Sequence, residues 1–98
     1  MGIRKISIRH SVADNISSIA WFIESKGMVK TAEKFVDAIY DFLEKLADDR
    51  KSYALCRNEV RRVLGYKCIT YRKKYTIVFI ETDTEIIVSE FILTKLIT

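Results

Sequence analysis

Between residues 3 and 10 the chain reads Ile-Arg-Lys-Ile-Ser-Ile-Arg-His, with Ile6 and Ile8 on one side and Lys5, Ser7 and Arg9 on the other. That period of two predicts a half-buried strand. The pattern then turns helical: Val12, Ile16, Ile19, Ala20 and Ile23 recur at three-and-four spacing, while Ser17, Ser18 and Glu24 fall outside the stripe. A helix over about 12–25 follows. Ser11 with Asp14 fits a Ser-x-x-Asp helix start, the hydroxyl accepting a backbone N–H and the carboxylate favoured by the dipole. Gly27 ends the helix. Ala32, Phe35, Val36, Ile39, Phe42, Leu43 and Leu46 form a second stripe, predicting a helix over about 29–48. The connection is short, so the two should form an antiparallel hairpin. Asp48 and Asp49 oppose the dipole at the C-terminal end, and the last turn is expected to fray into 48–53.

The periodicity changes again beyond residue 65. Tyr66 to Tyr71, Tyr75 to Glu81 and Glu85 to Leu93 are rich in β-branched and aromatic residues, separated by Arg72-Lys73-Lys74 and Thr82-Asp83-Thr84. Two consecutive hairpins are predicted, the second turning at Asp83. Segment 54–65 reads as a connection, since Val60, Val63 and Leu64 suit either a strand extension or a short helical turn. The order β-α-α-β-β-β defines an α+β domain in which the helical hairpin packs on one face of an antiparallel sheet. The N-terminal strand must join that sheet to satisfy its backbone. The opposite face is expected to be bare, with the basic segment and the tip at 72–74 converging on it.

Composition bounds this picture. Ninety-eight residues, 49% hydrophobic and 31% charged, with three Gly and no Pro, describe one ordered domain, 1–98, with one core. The longest apolar run is five residues, Ile19 to Ile23, against roughly 20 needed to span a bilayer, and no secretory h-region is visible. Neither a membrane nor secretion is expected, and the cytoplasm is the default compartment. The net charge of +4 conceals segregation: nine Lys/Arg and one acid lie in 50–74 (Arg50, Lys51, Arg57, Arg61, Arg62, Lys67, Arg72, Lys73, Lys74 against Glu59), while 10–49 and 75–98 are both acidic overall. Such a block is either a solvated face or the footprint of an anionic partner.

Individual residues carry less. Cys56 and Cys68 make no disulfide framework and have no paired base implied by spacing, so both read as packing residues; with His10 alone, no Cys/His zinc spacing can be assembled. His10, between strand and helix, reads as a surface or capping residue despite its useful titration range. Tyr53, Tyr66, Tyr71 and Tyr75 interleave with the arginines, a pattern suited either to base stacking or to cross-strand packing. Trp21 reads as an anchor of the hairpin on the sheet.

With these residues, the element order resembles the RelE/ParE superfamily of toxins from type II toxin-antitoxin systems. The resemblance spans nearly the whole chain: Trp21-Phe22-Ile23 closing the first helix, Thr31-Ala32-Glu33-Lys34-Phe35 opening the second, Arg61-Arg62-Val63-Leu64, Gly65 to Arg72, Tyr75 to Ile80 and Glu85 to Val88. It implies one of two activities. The RelE-like branch is a metal-independent endoribonuclease, cleaving mRNA on the ribosome; the ParE-like branch binds and blocks DNA gyrase. Either is silenced by a cognate antitoxin, contacts operator DNA only within that complex, and needs no cofactor or metal.

RNA cleavage needs a base, cations for the developing phosphorane charge and an acid for the leaving oxygen. The resemblance places cationic roles on Arg61 and Arg62, puts the family's strand arginine at Tyr71 or Arg72, depending on a one-residue register, and puts Lys95 where the family often has arginine. Arg57, Lys67, Lys73 and Lys74 would bind RNA. No His or Tyr follows Lys95, so the family's usual acid/base is missing, and Lys95 or Tyr71 would have to substitute. mRNA cleavage is the first expectation, with gyrase inhibition or an inactive relative as alternatives.

Overall fold

The computed structural model describes residues 4–48 and 53–96; Asp49, Arg50, Lys51 and most of the stretch expected to fray lie outside the described residues. The elements are β1 (Lys5–Ile8), α1 (His10–Ser25), α2 (Val29–Lys45), α3 (Glu59–Val63), β2 (Lys67–Tyr71), β3 (Tyr75–Glu81) and β4 (Glu85–Leu93), followed by a 3₁₀ turn over Thr94–Leu96. The three C-terminal strands match their predicted spans closely. Segment 54–65 contains the short helix α3, which its ambiguous pattern left open. Asn58 caps it by accepting the Arg61 N–H at 3.1 Å, and Gly65, at φ 85°, closes it in a conformation that disfavours other residues.

The sheet order is β1-β4-β3-β2. β1 joins it as required, but parallel to β4, so the sheet is mixed rather than antiparallel throughout. The reason is the crossover: three helices separate β1 from the later strands, and only the β2-β3-β4 meander is confined to tight antiparallel turns. Pairing continues to Arg9, whose N–H donates to the Val88 carbonyl at 3.0 Å. The chain therefore passes directly from strand to helix at Arg9. No loop remains for Ser11 to cap; it lies inside α1, whose N-cap is Arg9 without a side-chain bond.

The helical hairpin covers one face. Val12 and Ile16 of α1 and Ala32, Ile39 and Leu43 of α2 are buried, as the stripes predict. Most of them meet Tyr71, Tyr75, Ile77, Phe79, Ile86, Val88 and Phe91 in one cluster. Each fully buried large side chain there contributes about 1.5–3 kcal/mol. In β4 the inward set switches from even to odd numbers because Val78 pairs Glu90 while Phe79 pairs Val88, leaving Ser89 as a bulge. Trp21 does not anchor the hairpin: it is 69% exposed, and Phe22, Met28 and Val29 are exposed as well. Its position falls off the Val12-Ile16-Ile19-Ile23 stripe.

Arg4 locks β1 to α2. Its side chain is buried, Nη1 lies 2.6 Å from Glu81 Oε2, and Nη2 donates to the Leu46 and Asp48 carbonyls at 3.2 Å each. A cation at the C-terminal end of α2 answers the dipole that Asp48 opposes. Arg4→Met is expected to lower stability by about 3 kcal/mol in urea unfolding at pH 7, because Glu81 loses its closest cation; Arg4→Met with Glu81→Met should recover most of that loss. Trp21→Ala should change stability by no more than about 0.5 kcal/mol in the same assay.

Candidate functional site

The face opposite the hairpin is not bare. Residues 53–65 form a strap that starts on the hairpin side, with the Tyr53 ring edge-on to Phe79 at 5.3 Å between centroids, and passes round the sheet edge to the opposite face. The strap runs beside the outer edge of β2: Cys68 N–H donates to the Ala54 carbonyl at 3.3 Å, Cys56 N–H donates to the Tyr66 carbonyl at 3.0 Å, and Leu55 bridges Lys67. α3 then reaches across the sheet. Arg61 donates through Nε and Nη2 to both carboxylate oxygens of Glu90 on β4, at 2.9 and 2.8 Å.

Cys68, Val78 and Glu90 are register partners in one row across β2, β3 and β4. The strap is fastened at both ends of that row, by the Cys56–Cys68 disulfide at one and by the Arg61–Glu90 pair at the other. Val78 between them is 0% exposed. The cysteines are therefore covalently joined, not independent packing residues. A separation of twelve residues gave no sign of this, but the return of the strap to the start of β2 brings their Cα atoms to 4.8 Å. In the loop-entropy account, closing a loop of that length stabilises the fold by about 3 kcal/mol.

Two residues along the strands, Thr70, Thr76 and Ile92 form the next row. Thr70 and Thr76, with Thr94 and Cys68, floor a cleft of about 510 Å³ whose other wall is Ala54, Leu55, Arg57 and Asn58 of the strap. The Thr76 and Thr94 hydroxyls are 3.0 Å apart. Thr94 N–H bonds the Lys74 carbonyl at 2.8 Å, so the 72–74 turn and Lys95 approach the same end.

The candidate cations divide into groups. Arg61 is committed to Glu90; Lys67 donates to the Tyr53 carbonyl at 2.8 Å and lies 3.7 Å from Glu81. Arg72 and Lys74 lean over the rings of Tyr71 and Tyr75, at 5.2 and 5.5 Å. Arg57, Arg62, Lys73 and Lys95 are exposed and make no ion pair or side-chain hydrogen bond among the described residues. The register question is settled for Tyr71: 5% exposed, it faces the helices and packs on Phe42 at 5.0 Å, while Arg72 lies beyond the strand in the turn. Tyr71 is thus placed in the core, on the side of the sheet away from the cleft. His10 stands apart at the start of α1, exposed, with Nε2 3.7 Å from Asp14.

Chemically, the cleft offers hydroxyls and Arg57, a set that hydrogen-bonds and attracts anions. Proton transfer is less well served. The Arg61 hydrogen bonds hold the Glu90 carboxyl below its usual range against the opposing effect of partial burial, and the same bonds raise Arg61 further. Burial raises the Tyr53 phenol. Comparison with known proteins finds no family model and no curated protein that matches this chain.

Sequence reasoning missed Glu90, Cys56, Cys68 and the threonine row. Glu90 could have been flagged as a charged residue within an otherwise apolar strand. Because its carboxyl is depressed in the folded chain, the pairing with Arg61 contributes fully above the unfolded carboxylate value, about 4.3, and is lost as pH falls through the lower folded value. Hydrogen exchange of the α3 amides should therefore be flat from pH 7 to 5, after correction for intrinsic rates, and accelerate in stronger acid. Glu90→Gln should remove that acid dependence.

Proposed function

We propose that the chain is the toxin of a toxin-antitoxin module and acts in the cytoplasm by gripping a protein target, in the ParE-like manner, rather than by cutting RNA. One observation carries this reading: the strap turns outward a surface that can bind, while groups a nuclease would use are committed elsewhere. Val60 and Val63 on α3 and Leu64 at its C-cap are 68, 76 and 66% exposed; this five-residue helix also carries Arg62, with Arg57 just before it. Apolar side chains rimmed by cations suit an acidic protein surface, of which DNA gyrase is the target the resemblance implies. Arg61 and Tyr71, by contrast, are engaged in holding the fold. The same surface suits a cognate antitoxin whose acidic, amphipathic segment folds on binding, with operator DNA contacted only through that complex.

mRNA cleavage on the ribosome is kept as a second reading for one specific reason. The hydroxyl-floored cleft, with Arg57 on its wall and Lys95 next to Thr94, is a polar groove open to an anionic strand.

The turn supplies a further sign of selection for charge. Arg72 and Lys73 adopt φ of 53° and 62°, where non-glycine residues are disfavoured and Asn-Gly is the usual choice. Replacing them by Arg72→Asn with Lys73→Gly should raise stability by about 1 kcal/mol in thermal unfolding while weakening growth arrest. Induction of the wild-type chain should block gyrase supercoiling without codon-linked mRNA ends. Arg57→Ala with Arg62→Ala should relieve the arrest at unchanged stability. Codon-linked cuts would transfer the proposal to the second reading, and an absence of toxicity would end both.

A further inference from the structure

We infer that the Cys56–Cys68 bond is a reversible latch on the strap, closed by oxidation and opened by a dithiol that enters through the cleft. The two sulfurs are not equivalent. Cys56 is 1% exposed, whereas Cys68 is half-buried and lines the cleft beside Thr70 and opposite Arg57. A reductant therefore meets Cys68 first, and Arg57 favours the approach of its thiolate. That thiolate attacks Cys68 Sγ, the bond to Cys56 breaks, and Cys56 leaves as a thiolate that takes up a proton. The reductant's second thiol then displaces Cys68 from the mixed disulfide. The protein gains two thiols and the dithiol becomes a disulfide, a two-electron exchange that an oxidised dithiol reverses.

Only part of the molecule depends on this bond. The core cluster lies on the other side of the sheet, between its strands and the helical hairpin, and neither cysteine belongs to it. Once the bond is cut, the strap keeps the Arg61–Glu90 pair over β4, the Lys67–Tyr53 bond and its covalent continuation into β2, while between them the β2 edge holds it by two backbone bonds at Cys56 and Cys68. The stretch between these anchors is loosened. The closed form presents Arg57, Arg62, Val60, Val63 and Leu64 in one fixed arrangement, and the open form must order them at the moment of binding. Oxidation therefore favours target binding. This last step rests on the binding reading proposed above; the opening of the strap does not.

Hydrogen exchange of the full chain tests the latch, comparing the air-oxidised protein with protein reduced by dithiothreitol, thiol content being read by mass. Expected is acceleration on the order of ten- to a hundredfold at the amides of Cys56, Arg61, Arg62 and Cys68, with Ile77, Phe79, Ile39 and Leu43 unchanged. Cys68→Ser should behave as the reduced form and ignore dithiothreitol. Equal exchange in both forms, acceleration throughout the sheet, or thiols that stay free in oxidised glutathione would each overturn the latch. In a gyrase supercoiling assay the oxidised form should inhibit at least about tenfold more strongly than the reduced form. Inhibition by neither form would remove the proposed target while leaving the latch to stand or fall on the exchange result, and equal inhibition by both would overturn its link to binding.

Discussion

A strongly basic segment can lie on an apolar sheet face only if the cation it brings there is answered on the spot. Glu90 does this for Arg61, in a bidentate pair that is partly removed from water. Its position follows from the β4 bulge, since Val78 pairs Glu90 before the register shifts to Phe79 and Val88. With the pair in place, α3 is held across the sheet, Val78 is sealed, and the threonine row beside it becomes the floor of a cleft. Without it the face would be the open wall that periodicity suggests.

The same rule operates at the other end of the molecule. Arg4 counts as part of a basic N-terminus by composition, yet it is buried and serves Glu81 together with two carbonyls after α2. A charge count therefore overstates the surface available to a partner. Of the seven described cations between Arg57 and Lys74, two are tied to acids or backbone and two rest on rings, leaving Arg57, Arg62 and Lys73.

Local chemistry wrote the elements legibly: the β-branched and aromatic run from Glu85 to Leu93 and the long stripe of α2 are local signals, and both elements appear in the fold. What was illegible depends on contacts distant in sequence. The parallel pairing of β1, the joining of Cys56 to Cys68 and the pairing of Arg61 with Glu90, 29 residues apart, all need the three-dimensional path of the chain. Trp21 shows the reverse error, an aromatic assigned to the core by its type although its helical position points outward. Among the candidate site residues, Arg57, Arg62, Lys73 and Lys95 sit at the surface, while Tyr71 illustrates how one residue of register separates a cleft from a core.

These placements bear on how a small cationic domain divides its side chains between holding itself together and meeting something else. A nuclease site asks for cations and proton carriers fixed around one scissile group, which requires partners for each of them. Here the fixed cation, Arg61, already has its anion, and of the unpaired ones Arg57 and Arg62 stand on a strap among exposed valines and leucine. Such a surface discriminates by shape and charge together, because burying Val60, Val63 and Leu64 favours any apolar partner while Arg57 and Arg62 favour an acidic one. On the binding reading we propose, holding the strap still is the fold's main contribution to recognition, and the two fastenings at Cys68 and Glu90 are where that contribution would reside.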